Sequence, residues 1–99
     1  MDEASESFRI DVVEGIFALS GSCDFENWRH VRAWLSDARP NELDVGNVTS
    51  FDPFGARALI DAKLQNRRFR LINVNESVRV ALDRLGLLDY LTAERKEPR

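Results

Sequence analysis

The sequence is poor in the residues that build most active sites. It has one cysteine, one histidine and five glycines that never cluster. A single cysteine, Cys23, excludes an internal disulfide and supplies no metal-ligand set. It reads as a small packed hydrophobe, and a reducing compartment is the simpler setting. The glycines fall at 15, 21, 46, 55 and 86, so neither a phosphate-cradling loop nor a dinucleotide fingerprint can be drawn. No G-x-S-x-G nucleophile elbow is present. His30 lies in the charged stretch Arg29-His30-Val31-Arg32 and reads as a surface histidine, with nothing local to activate a Cys23–His30 pair. No catalytic residue, cofactor or metal is therefore expected, and the chain does not read as an enzyme. Long apolar runs are also missing: none approaches the ~18–20 residues that cross a bilayer. The acidic start MDEASES is the opposite of a secretory n-region. These features point to a cytoplasmic protein with no direct membrane insertion, though attachment to a membrane complex stays open.

What is present fits one compact domain. The 99 residues are 43% hydrophobic and 31% charged, ordinary values for a globular chain that buries a core without staples. The net charge of −3 is unevenly divided. Residues 1–52 carry 11 acidic and 4 basic groups (−7), and residues 53–99 carry 6 and 10 (+4). The basic half includes Arg67, Arg68 and Arg70, but these charges are spread over several elements without an aromatic platform or DNA-reading motif, so no nucleic-acid partner is expected.

The pattern predicts alternating strands and helices. FRIDVV (8–13) alternates with period two, Glu14-Gly15 interrupts it, and IFALSG (16–21) resumes: a β-hairpin. At Asp24 the period changes. Asp24 is a good N-cap, and Phe25, Trp28, Val31 and Leu35 follow at helical spacing, ending near Arg39-Pro40. Trp34 lies off the stripe and is expected to be the more exposed tryptophan. A short strand is expected near 42–46, then a loop over 47–51. Asp52 caps the next helix with Pro53 at its first position, and Ala56, Leu59, Ile60 and Leu64 form its buried stripe. FRLINV (69–74) predicts another strand. Asn75 caps a third helix with Val78, Ala81, Leu82 and Leu85 inward, and Gly86 stands at C′. Leu87, Leu88, Tyr90 and Leu91 form an apolar tail that packs back. The order β-β-α-β-α-β-α, with short connections, implies right-handed crossovers and parallel pairing after an antiparallel hairpin. The fold class is α/β: a mixed four-stranded sheet with helices mainly on one face, its core spanning about 8–92 and its charged ends, 1–6 and 93–99, frayed.

The stretch LDVGNVTSFDPFGARALI (43–60) adds a family. It resembles the signature of the STAS domain, found in bacterial anti-sigma-factor antagonists and their relatives, where a strand enters a loop reading roughly hydrophobic-Asp-Ser-[Ser/Thr]-Gly before a helix. Asp52 and Gly55 match. GSCDF (21–25) resembles the family's Gly-x-[Ile/Leu]-Asp segment, with Gly21 and Asp24 in register, and RFRLINVNESVRVALDRLGLLDYL (68–91) resembles its last strand, third helix and close. The resemblance implies a signalling module of protein–protein interaction and transcription regulation. The departure lies between Asp52 and Gly55, where two hydroxyl residues are expected and Pro53 and Phe54 stand instead. In the antagonists the second position is the phosphorylated serine or threonine. By this resemblance Phe54 is a degenerate phosphosite, and the chain is not switched by phosphorylation there. Thr49 and Ser50 lie nearby but precede Asp52, out of register for a kinase aligned on residue 54.

A phosphate would bring nearly two negative charges to a helix N-terminus. Phe54 offers an apolar ring able to bury roughly 150–250 Å², turned either outward to a partner or inward as packing, while Phe51 reads as core. The resemblance places partner binding on Ser22, Asp24 and Phe25, on Thr49, Ser50, Asp52, Pro53, Phe54 and Gly55, and on Arg57, Ala58 and Asp61 along the exposed side of the helix. The partner implied is an anti-sigma factor or serine-kinase-like regulator. The alternative is an accessory subunit that binds the ATPase of a lipid-trafficking ABC transporter.

Overall fold

The structure, a computed structural model, describes residues 8–92; the expected fraying of the two ends lies outside these residues. The elements follow the order β1 Phe8–Val13, β2 Ile16–Cys23, α1 Trp28–Ala38, β3 Glu42–Phe51, α2 Pro53–Gln65, β4 Arg70–Ile72, α3 Glu76–Arg84 and α4 Leu88–Thr92. The strands lie in the order β1-β2-β3-β4. β1 and β2 pair antiparallel; β2–β3 and β3–β4 pair parallel. Both crossovers step the same way along the sheet. Right-handed crossovers of that kind put α1 and α2 on one face, and helix and strand residues there form one hydrophobic cluster, including Leu19, Val31, Leu43, Leu59, Val78 and Leu82.

Local chemistry sets the element ends. The β1–β2 turn uses Glu14 at φ 54 and Gly15 at φ 81, two successive left-handed residues matching the twist of a tight hairpin. Asn75 caps α3 by accepting from the Val78 amide. At its end Gly86 N donates to Asp83 O and Leu87 N to Leu82 O, with Gly86 at φ 74, the paired bonds of a Schellman close. The apolar tail packs back through Leu87, Leu88 and Leu91 and forms α4, an eighth element, while Tyr90, expected to pack with them, stays 42% exposed.

Five expectations need correction. β3 continues to Phe51, where a loop was expected over 47–51. Ala18 pairs with Asp44 but Ser20 with Asn47, and Gly21 with Val48 but Ser22 with Ser50. β3 therefore holds one extra residue at each of two bulges, which breaks the period of two and re-aims Val48 at the core. The Asn75 side-chain amide donates to the Val45, Gly46 and Val48 carbonyls there. The helix expected from Asp24 starts at Trp28: the chain first makes a turn closed by Asn27 N and Trp28 N on Asp24 O. In α2 the stripe shifts. Leu64 is 69% exposed, because steps of four from Ala56 drift until Leu64 stands about 180° from Gly55. Ala56 and Leu59 are buried as expected, joined by Gly55, Ala58 and Ala62. Leu85 is exposed at the end of α3, and β4 spans only Arg70–Ile72 before Asn73 turns left-handed at φ 54. Trp28 and Trp34 are both half-buried, Trp34 lying edge-on to Phe17.

Candidate functional site

The loop residues of the predicted site gather where β2 and β3 end side by side, with Ser22 beside Ser50 in the parallel register. Two aspartates knit the loops together. Asp52 Oδ1 accepts from the Phe54 and Gly55 amides at 2.9 and 3.0 Å, completing the N-cap of α2 with Pro53 at its first position. Its other oxygen, Oδ2, accepts from the Phe25 amide at 3.0 Å. Asp24 Oδ1 accepts from Glu26 N at 3.1 Å, and Asp24 Oδ2 accepts from the Ser50 hydroxyl at 2.9 Å. Asn27, only 2% exposed, supports this turn from below: its oxygen accepts from Asp24 N and its amide donates to Ser22 O.

This scaffold fixes two rings in the open. Phe25 is 64% exposed and Phe54 44% exposed; their centroids are 4.9 Å apart at 69°, an edge-to-face pair. The orientation of Phe54 that the sequence left open is thus resolved outward. Trp28 lies 6.1 Å from Phe54. Three guanidiniums surround the indole: Arg29 at 5.4 Å, Arg32 at 5.3 Å and Arg57 at 5.9 Å. Asp61 serves two of them, Arg32 at 3.3 Å and Arg57 at 3.6 Å, and so bridges α1 to α2. The result is an apolar centre of three rings, with the Asp24 and Asp52 carboxylates tying its loops together and three arginines around its indole. Beyond Phe54 the surface continues into a cleft of ≈ 290 Å³ lined by Pro53, Arg57, Ile60, Leu85 and Leu87.

Thr49 is exposed on β3. Ala58 does not belong here: it is fully buried, because it shares the inward face of α2 with Gly55 and Ala62. Gly55 is also buried, and its position is backbone-limited. A Cβ there would stand 1.9 Å from the Cys23 carbonyl oxygen, so only glycine lets α2 start against the end of β2. The residues that the sequence reading left out are Trp28, Arg29 and Arg32. Trp28 was assigned to the buried stripe; the available signal was the i,i+4 pair Trp28–Arg32, which shares one helix face.

The chemistry offered is recognition. Cys23 lies under the site, fully buried, and its thiol is pushed up from 9.0 to about 12, first by burial and then by the nearby Asp24 and Asp52 carboxylates. A neutral, sealed thiol is a poor nucleophile. Among the described residues, no group of three or more His, Cys, Asp or Glu could hold a metal ion, and no helix is long and apolar enough to cross a membrane.

The family model of the STAS domain matches residues 7–98, nearly the whole chain, and the protein belongs to that family. STAS domains are in general non-enzymatic modules of regulatory protein–protein interaction, and the mixed sheet and element order are those of the STAS fold. A search of curated proteins finds no match to this chain.

Proposed function

We infer that this protein is a cytoplasmic, non-enzymatic regulator of a bacterial signalling system that holds an anti-sigma factor or serine-kinase-like protein through the Phe25–Phe54 face. The observation that carries this reading is the exposed ring pair at the N-terminus of α2, fixed by Asp52 from two loops at once. Solvent-facing rings on a rigid scaffold, with arginines at their border, have the composition of an interface hot spot. Phe54 stands where the antagonists of this family carry their phosphorylated hydroxyl. It accepts no phosphate, so the docking face is permanently apolar and control passes to abundance or to a competing protein.

Affinity purification of the tagged chain from its native cell, followed by intact-mass analysis, tests the reading. The expected result is a co-purified kinase-like or anti-sigma protein and no phosphate on this chain. Recovery of a transporter ATPase with its permease would replace the regulator by the transporter subunit, for which a permanently apolar contact is equally suited. Stoichiometric phosphate on the chain would overturn the unswitched state.

A further inference from the structure

Among the described residues, the edge of the sheet formed by β1 is open. One side of Phe8–Val13 pairs with β2 in an unbroken register, and no described strand pairs with the other. Natural edge strands are commonly blunted by proline, by charged side chains of one sign (lysine above all), by a bulge or by short length; the two charges of β1, Arg9 and Asp11, are opposite and pair with each other. The six residues FRIDVV contain neither proline nor lysine and carry no bulge. Val12 and Val13 are 61% and 57% exposed. The opposite edge is different: β4 has three residues and α4 packs beside it.

The sequence of this edge is complementary to itself. Two antiparallel copies of β1 centred on Ile10 would set Ile10 against Ile10, Phe8 against Val12, and Arg9 against Asp11 twice. Cross-strand pairs of exactly these kinds, apolar with apolar and opposite charges face to face, stabilise sheets, and like charges oppose pairing. Arg9 and Asp11 are well exposed, with side chains 74% and 52% accessible, and are already turned to the same face, 3.3 Å apart. Phe8, Ile10 and Val12 lie on the other face, where Val12 extends beyond the helices' cover.

We propose that the protein forms a homodimer by antiparallel pairing of β1 with β1, giving a continuous eight-stranded sheet. The two-fold axis passes through Ile10. It reverses the strands, so the two Phe25–Phe54 faces lie at opposite ends of the dimer and both stay open. The dimer is therefore bivalent, and this holds whatever the docking face binds. A single six-residue edge is a small interface, so association is weak and reversible.

Sedimentation equilibrium of the full chain, from about 10 µM to about 1 mM, tests this with charge-reversal variants. The wild type is expected to rise from 11.3 kDa toward twice that mass. Arg9→Asp and Asp11→Arg each place like charges opposite one another at two positions, and each should weaken self-association by about tenfold or more. Mixed together, the two variants become complementary again, and their equimolar mixture should recover the wild-type mass. Both sites are exposed, and circular dichroism identifies any variant that misfolds. The doubly exchanged Arg9→Asp/Asp11→Arg chain, complementary with itself, then serves in its place and should dimerise like the wild type. A wild type that stays at monomer mass throughout, or a dimer indifferent to both single reversals, overturns the proposal.

Discussion

Asp52 does two jobs with one carboxylate: Oδ1 caps α2, and Oδ2 holds the Phe25 amide of the other loop. Asp52→Ala removes all three bonds and should cost about 2 kcal/mol, the upper part of the range for losing an N-cap. Asp52→Asn, which keeps an acceptor oxygen for the cap, should cost less than half as much. Urea denaturation measures both, and equal costs would show that the cap is not what Asp52 contributes. Phe54 makes the contrasting case. Its ring is 44% exposed and its aromatic neighbours are Phe25 and Trp28. Phe54→Ala should therefore lower stability by about 1 kcal/mol, the scale of an aromatic pair. A loss of roughly 3–5 kcal/mol, the cost of emptying a core site, would mean that the ring is structural.

The central element contact is the start of α2 against the end of β2. Gly55→Ala would drive a methyl to within 1.9 Å of the Cys23 carbonyl. Backbone cannot move aside as a side chain can, so the variant should lose about 3 kcal/mol or more and shift the chemical shifts of both loops. An unchanged unfolding midpoint would show that the two elements are looser than this contact implies. Cys23 reports on the same junction. Its thiol stays protonated in the folded chain up to about 12, while in the unfolded chain it ionises from 9.0. Above 9.0 the unfolded state therefore binds fewer protons, and stability must fall as pH rises toward about 12. The contribution is complete below 9.0 and is lost by up to about 1.4 kcal/mol per pH unit above it. Cys23→Ala should flatten this alkaline slope relative to the wild type, as urea unfolding at pH 8, 9 and 10 would reveal; parallel slopes would mean that the thiol is accessible. Legibility also varied by element. Helix caps at Asp52 and Asn75 and the Gly86 close were readable because each rests on a few adjacent residues. β3 was not, because its two bulges cancel the alternation on which strand reading depends. The start of α1 was displaced because the turn at 24–27 spaces Phe25 and Trp28 as a helix would.

At the scale of the molecule, the order of strands and helices was legible almost completely, since hydrophobic period and short connections leave few topologies. The surface proposed for docking was legible only in part. Its loop residues came from the family pattern, but the arginines around Trp28 come together only when α1 and α2 lie side by side, a long-range contact that spacing along one helix does not reveal. Ala58 failed for the related reason that a small residue reads as surface or as close packing equally well. The central claim is that an apolar ring pair, without phosphate, holds another protein. Isothermal titration calorimetry of the partner recovered from the native cell, against the wild type and Phe54→Ala, tests it most directly. The account predicts binding by the unphosphorylated wild type and a loss of about 2 kcal/mol, close to thirtyfold in affinity, on removing the ring. Equal affinity for the two proteins would contradict it.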